Sequence, residues 1–413
     1  MVNKMRIPRY INKIINRLQS NGYEAYIVGG AVRDYVLGKT PNDYDISTSA
    51  LPKQIVALFK DYKIVTNGIK HGTVCVICEN KFVEITTYRK DENYIDHRHP
   101  SSITFVDDLK IDLSRRDFTI NALAYNTEVI DYFDGINDVK NGIIRAVGDA
   151  NIRFEEDALR ILRALRFSSI KGFTIEENTS RAMKEKKDLI SFISKERIYN
   201  ELSKIILGKN FNYVIINFND ILEVVFPFLK NISSNNLSLI CSKIVKIKGF
   251  LPYRLALMIY FSYNIDNKSN LSNYNIDNIK NILIEMKMPK KIIYQTLDIL
   301  LITNEENILD DYTIRKYLKK CNDSLIITSA VMIKYNENIK INKVKKIIEK
   351  NKEKCNNIVN LQIKGNDLIS IGFKNEEISI ILNELLDEVQ KEELINSKEQ
   401  LLAKSYEIFY RKE

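Results

Sequence analysis

Ala25-Tyr-Ile-Val-Gly-Gly-Ala-Val-Arg-Asp34 decides the fold of the N-terminal part of this 413-residue chain. Ala25 to Val28 is a short apolar run that reads as a strand. Two glycines follow, and Ala31 to Leu37 reads as a helix closed by Gly38. Strand, Gly-Gly turn and helix form an arrangement that can cradle a phosphate. Glycine lets the backbone approach closely, and a helix start favours negative charge. The spacing is neither the Walker nor the Rossmann one. A tight turn also uses Gly-Gly for purely steric reasons, so the motif needs partners.

Working outward, strands and helices alternate over the first ~150 residues. Residues 4–20 and 52–60 have helical periodicity. Asp43-Tyr-Asp-Ile-Ser-Thr48 reads as a strand, and β-rich runs occupy 62–66, 72–78 and 81–88. A polar stretch without a clear period runs from 89 to 100, and residues 115–125 look helical. Behind residue 150 the strand signals nearly vanish. Apolar spacings of three and four recur at 151–169, 196–208, 277–287, 312–321 and 376–390. The expected fold is α+β: a head with a mixed sheet and helices, then an all-helical remainder.

Composition narrows the class. Apolar residues make up 45% and charged residues 28%, which excludes disorder and low-complexity readings. No run reaches the ~18 apolar residues needed to span a bilayer, so a cytoplasmic protein is expected. Five scattered cysteines argue against a disulfide framework. Cys75 and Cys78 form a CxxC inside an apolar run and are expected to be buried strand thiols. Only three histidines occur, none after His99, so catalysis should rest on carboxylates and arginines. Residues 1–150 hold 20 Lys and Arg against 19 Asp and Glu, while residues 151–413 hold 42 against 34. The basic surplus therefore lies in the helical part, which is compatible with nucleic acid.

The acids carry the chemistry. On a strand, Asp43 and Asp45 share one face while Tyr44 points away. Two adjacent carboxylates repel unless a cation neutralises them, and Mg²⁺ suits carboxylate and phosphate oxygens. Glu84, in Phe82-Val-Glu-Ile-Thr86, is a candidate third acid on a neighbouring strand. Further along, Arg115-Arg116-Asp117 is expected to open one helix and Glu156-Asp-Ala-Leu-Arg160 another. Asp157, Arg160, Arg163 and Arg166 recur every three residues, so neighbours lie close on a helix. They are either an exposed ion-pair ladder with Glu155 and Glu156 or a base-reading face. An Asp accepts from the amine of cytosine or adenine and an Arg donates to the ring nitrogen, a pattern that guanine and uracil invert.

The Gly-Gly turn, the strand Asp-x-Asp, Arg-Arg-Asp and Glu-Asp-x-x-Arg, in that order over residues 29–166, resemble the class II CCA-adding tRNA nucleotidyltransferases and the related bacterial poly(A) polymerases, within the polymerase-β-type superfamily. Lys364-Gly-Asn-Asp-Leu368 and Leu394-Ile-Asn-Ser-Lys398 are similar to tail segments of that family. The resemblance implies a head (1–150), a neck (151–210), a body (211–310) and a tail (311–413) in a seahorse-like chain, with tRNA along the basic helical side. It implies that Gly29, Gly30 and Arg33 contact the incoming nucleotide and that Asp43 and Asp45 hold Mg²⁺. It implies that Arg116 and Asp117 sit near the sugar, that Asp157 and Arg160 template CTP and ATP, and that Arg163 and Arg166 meet phosphates. Residues 89–100, with Lys90, Asp91, Glu92, Asp96 and Arg98, match the loop that remodels the family's pocket. The His-Asp phosphohydrolase domain of many relatives is not expected, because Tyr253-Arg-Leu-Ala-Leu-Met-Ile-Tyr260 holds no His-Asp pair. Tail glycines common in the family are replaced near Phe373-Lys-Asn-Glu-Glu377.

The resemblance implies template-independent addition of C, C and A to the 3′ end of tRNA, with release of pyrophosphate. Poly(A) polymerase is the rival, but Asn67-Gly-Ile-Lys-His-Gly-Thr73 stands where those enzymes usually carry a basic, phenylalanine-containing run. An enzyme adding only CC or only A is a second alternative; CC-only relatives tend to lack the loop. A catalytically dead tRNA-binding protein is expected to have lost Asp43 or Asp45, and both are present.

Overall fold

The computed structural model describes residues 5–94, 100–230, 232–265, 268–269, 273–321, 323–335, 338–351 and 357–411. The chain divides into two compact units, 1–230 and 231–413.

The first unit is built on a seven-stranded sheet. Its strands are β1 (Ala25–Val28), β2 (Asp45–Thr48), β3 (Lys63–Val65), β4 (Thr73–Cys78), β5 (Lys81–Thr87), β8 (Leu123–Tyr125) and β9 (Val129–Asp131), in the order β3-β4-β5-β2-β1-β8-β9. Neighbours are antiparallel except β2 and β5, so the sheet is mixed as expected. The parallel pair sets Asp45 opposite Glu84. A separate hairpin joins β6 (Arg89–Tyr94) to β7 (Pro100–Phe105). The stretch read as aperiodic is therefore paired strand at both ends: backbone hydrogen bonds, such as Lys90 opposite Thr104, supply an order that its polar side chains do not signal. Asp96 and Arg98 lie outside the described residues, and so do His97 and His99.

Helix α1 (Arg9–Ser20) lays Ile11, Ile14, Ile15 and Leu18 on one buried stripe. Helices α2 (Gly30–Val36), α3 (Pro52–Leu58), α4 (Leu109–Ser114) and α5 (Gly135–Asn141) surround the sheet. One core cluster joins Val28 of β1 to Tyr88, Leu109, Leu113, Ala122, Ala124 and Val147. The CxxC lies on β4 as expected, with Cys78 buried and Cys75 half-buried opposite Glu84.

One expectation fails locally. Residues 115–125 are not a helix: α4 ends before Arg115, residues 119–121 form a single 3-10 turn, and β8 follows. Asp117 accepts from its own Phe118 N–H at 2.8 Å and from Asn121 Nδ2 at 3.0 Å, which holds a turn instead. Leu123, Ala124 and Tyr125 are all buried, so their apolar run serves a strand covered on both faces. The stretch 151–169 is helical as its spacing predicts, and Glu156-Asp-Ala-Leu-Arg160 opens a helix within it as expected. It divides into α6 (Ala150–Glu156) and α7 (Leu159–Lys171), and Asp157 is extended between them. Its carboxylate accepts from Leu159 N–H at 3.2 Å, a competing bond that starts α7 afresh.

Helices α8 (Glu177–Glu185), α9 (Lys195–Leu207), α10 (Phe211–Asn217) and α11 (Asn219–Leu222) complete this unit, with α9 packed along α7. The second unit holds α12 (Ser234–Ile244), α13 (Leu251–Ser262), α14 (Asn273–Glu285), α15 (Lys290–Asn304), α16 (Asp311–Cys321), α17 (Ser324–Lys334), α18 (Asn338–Asn351), α19 (Gly365–Ile371), α20 (Asn375–Gln390) and α21 (Lys398–Tyr410). Behind residue 140 the only strands among the described residues are two-residue pairs. Helix α13 is buried on nearly every side, as its continuous apolar sequence requires. The two tail segments similar to the family meet: Lys398 Nζ lies 3.0 Å from Asp367 Oδ1.

Candidate active site

One cleft of about 560 Å³ gathers most of the expected site residues. Gly29, Gly30, Arg33, Asp45, Arg116, Asp117, Asp157, Arg160, Arg163 and Arg166 line it, with Arg89, Asp91, Arg115, Asn121, Leu159, Phe167 and Arg197. Eight arginines stand against four aspartates, so the cleft suits a ligand with several negative charges. Asp43 and Glu84 are not in the lining. Asp43 precedes β2 rather than lying on it, yet the alternation holds, with Tyr44 buried between Asp43 and Asp45.

Asp45 sits among acids. Its carboxyl is raised above the ordinary range, first by loss of water and then by the charges of Glu84 and Asp43, while Arg116 pulls the other way. Such a carboxylate group calls for a cation, and its hard oxygen donors fit Mg²⁺. Among the described residues no three His, Cys, Asp or Glu side chains gather closely enough to hold a metal alone. Two carboxylates completed by substrate phosphates are a normal Mg²⁺ arrangement.

The glycine turn works differently from the simple cradle. Gly29 N–H is taken by Leu123 O at 3.0 Å, so it is not offered to a ligand. Gly29 has φ 71°, and a Cβ there would lie 3.1 Å from Arg116 Nη1. Its role is to make space for that guanidinium. From α2, the buried Arg33 donates through Nη1 to Asn121 Oδ1 at 2.5 Å, and its Nη2 lies 3.1 Å from Asp34 Oδ1. Arg33, Arg163 and Arg166 all stand over the Phe167 ring, at 5.4, 5.7 and 4.6 Å from its centroid.

The acids of the cleft are held by partners remote in sequence. Arg163 Nε donates to Asp117 Oδ2 at 2.7 Å. Burial would raise the Asp117 carboxyl, but Arg163, Asn121 and the Phe118 amide together bring it down to about 2. Arg197 of α9 donates through Nη2 to both Asp157 oxygens, at 3.2 and 3.4 Å. Arg160 is held by Glu156 at 2.7 Å and by the carbonyls of Arg153 and Arg115. Arg166 Nε lies 2.9 Å from Glu201 Oε2. Asp157 and Arg160 therefore converge on one cleft: Glu156 does pair with Arg160 as a ladder would have it, but Arg160 is buried, and Asp157 is held by Arg197 from another helix. Sequence reasoning missed Ser47, Asp112, Asn121 and Arg197. Ser47 lies two residues after Asp45, Asp112 four before Arg116 and Asn121 four after Asp117, close enough to motif positions to be candidates, whereas Arg197 carries no local signal.

Comparison with known proteins places these residues in context. Residues 25–145 match the poly(A) polymerase head domain, and residues 172–232 match the probable RNA- and SrmB-binding site of polymerase A. The CCA-adding enzyme of Staphylococcus aureus (strain bovine RF122 / ET3-1) is 49% identical over 207 residues, 49% of this chain and 51% of the relative. That of Leuconostoc mesenteroides subsp. mesenteroides is 50% identical over 197 residues, 47% and 49% of the two chains. The chain thus spans about half the length of the curated relatives it matches. The structure of the Bacillus stearothermophilus CCA-adding enzyme in complex with CTP aligns over 98% of both chains, with a TM-score of 0.78 and 28% identity. The Thermotoga maritima CCA-adding enzyme complexed with tRNA aligns over 99% and 97%, with a TM-score of 0.70; at 20% identity this speaks for the fold alone.

Proposed function

We propose that this chain, which carries the head and RNA-binding segments of the tRNA nucleotidyltransferase/poly(A) polymerase family, adds C, C and A in order to the 3′ end of tRNA from CTP and ATP. The observation that carries the reading is the convergence of Asp45, Asp157 and Arg160 on a single arginine-rich cleft. The tRNA 3′-hydroxyl oxygen attacks the α-phosphorus of the bound nucleotide. A new phosphodiester bond forms, the bond to the β-phosphate oxygen breaks, and pyrophosphate leaves.

Asp43 and Asp45 would hold Mg²⁺, and Glu84 is the candidate acceptor of the hydroxyl proton. When bound, Mg²⁺ supplies a lowered hydroxyl pKa and charge neutralisation on the leaving group. Gly29 keeps room for Arg116, which with Asp117 meets the ribose. Gly30 and Arg33 contact the nucleotide, and Arg163 and Arg166 stand where phosphates are bound. Asp157 accepts from the base amine and Arg160 donates to the ring nitrogen. Because Arg197 and Glu156 hold these two side chains in place, they form a preorganised template that selects C and A over U and G.

The working division is head 1–150, neck 151–210, body 211–310 and tail 311–413, with the helical part holding tRNA. The basic surplus behind residue 150 supports contacts to phosphates, as does the need to accept every tRNA by shape. No helix among the described residues is long and apolar enough to cross a membrane, and tRNA maturation places the work in the cytoplasm. The test is purified protein with Mg²⁺, single labelled nucleotides and tRNAs ending at the discriminator base, at CC or at CCA. Products that stop at CCA are expected. A long A tail would instead make the protein a poly(A) polymerase, and products stopping at CC a partial-addition enzyme.

A further inference from the structure

Asp112 is a fully buried acid on α4, a few residues before Arg115 and Arg116 of the cleft lining. Its neighbours Leu109 and Leu113 belong to the core, so packing alone does not call for a charge at this position. Burying a carboxylate is costly unless it is paired and hydrogen-bonded. Here the partners are two arginines of the cleft lining and Ser47 of β2. Oδ1 accepts from Arg115 Nε at 3.0 Å and Nη2 at 2.6 Å. Oδ2 accepts from the Ser47 hydroxyl at 3.1 Å and lies 3.6 Å from Arg116 Nη2. Arg116 Nη2 in turn donates to Ser47 Oγ at 3.2 Å. Ser47 lies two residues beyond Asp45 on β2, so the node is tied to the strand of the candidate metal-binding acids. Burial pushes the Asp112 carboxyl up, but Arg115, Arg116 and the two side-chain hydrogen bonds outweigh it and leave it below the ordinary range.

With Nη2 tethered in this way, the rest of the Arg116 guanidinium is directed toward the cleft. Nη1 fills the space that Gly29 leaves open, and Nε is buried without a hydrogen-bond partner. The node also reaches the template: Arg115 O accepts from Arg160 Nη2 at 2.9 Å.

We propose that Asp112 is a positioning residue that, with Ser47, fixes Arg116 beside Gly29 and Asp45 and so sets the ribose end of the nucleotide site. This rests on the reading above, in which Arg116 and Asp117 meet the sugar. The plainer alternative is a buried ion pair that only fastens α4 to the sheet.

Equilibrium dialysis of the full-length protein with labelled CTP and dCTP separates the two. The unaltered protein should prefer CTP. Asp112→Asn keeps the size but cannot balance two guanidinium groups, and should lower the CTP-to-dCTP affinity ratio about tenfold, the scale of one lost charged hydrogen bond. Ser47→Ala, which removes a single hydroxyl, should lower the ratio in the same direction by less, and it carries the test if Asp112→Asn does not fold. A purely structural role would weaken both nucleotides equally and leave the ratio unchanged. An unchanged ratio in the folded variants, or no preference in the unaltered protein, overturns the proposal. Incorporation onto tRNA is read separately. If the unaltered protein binds CTP with ribose preference but extends no tRNA, the proposed function fails while this assignment stands.

Discussion

Replacing Asp117 by Asn tests how much of the cleft's order comes from one remote ion pair. The carboxylate accepts on Oδ1 from Phe118 N–H and Asn121 Nδ2, and on Oδ2 from Arg163. Asn can keep the Oδ1 bonds but turns an N–H₂ toward a guanidinium. The Asp117 carboxyl is brought from 3.8 to about 2 in the folded protein. At about 1.4 kcal/mol per pH unit, this places the stabilisation by its charged form at roughly 2–3 kcal/mol near neutrality. Removing one member of a wholly buried pair costs about 3–5 kcal/mol. Arg163 keeps a third of its side chain in water, which favours the lower figure. The sign with pH follows from the lowered value. The contribution is complete above about pH 4, where the unfolded carboxyl is ionised, and is lost as pH falls toward about 2. Urea unfolding of the unaltered and Asp117→Asn proteins, followed by circular dichroism from about pH 7 to pH 3, should show a gap of roughly 2–3 kcal/mol at the top that narrows below about pH 4. Equal stabilities at neutral pH, or a gap that does not narrow on acidification, would refute the electrostatic argument.

Asp43→Ala and Asp45→Ala should each abolish nucleotide incorporation while leaving tRNA binding in a filter assay largely intact; normal turnover in either sinks the metal assignment. Asp157→Ala removes the proposed acceptor for the base amine and releases Arg197, so UTP and GTP should begin to be incorporated before all transfer is lost; continued refusal of both bases would end the templating role. At Gly29, Ala meets both a φ of 71° and a 3.1 Å approach to Arg116 Nη1. A stability loss of about 1–3 kcal/mol is expected, with a raised KM for CTP; an unchanged melting temperature and KM would show that the turn tolerates a side chain. Binding of tRNA should weaken steeply with salt, with a logarithmic slope of about 0.7–0.9 per phosphate contacted; a flat salt dependence would remove the basic helical part from tRNA binding.

The local physics was legible in advance. The apolar run at 25–28, the Gly-Gly turn and the runs at 62–66, 72–78 and 81–88 became β1, the start of α2, and β3 to β5 with ends shifted by a residue or two. Periodic apolar spacing located α9, α14, α16 and α20, because an amphipathic stripe is a property of neighbours in sequence. The carboxylates and arginines of the cleft were also visible, because their types and spacings are themselves the signal.

Partners were not legible. Asp45 meets Glu84 only because β2 and β5 pair in parallel. Asp117 finds Arg163 and Asp157 finds Arg197 across 46 and 40 residues. The helix expected over 115–125 became a turn and a strand, and the helical stretch 151–169 divides at Asp157, where its second helix opens as expected. In both places an aspartate side chain bonds the backbone locally, and long-range contacts hold the result. The sequence by itself determined most of the helices and strands and which side chains are candidates for chemistry, since periodicity and residue type act within a few residues. Only the tertiary structure decided which arginine holds which acid and where Asp112 lies. Those pairings depend on strand register and on the packing of α7 against α9, and neither leaves a pattern along the chain.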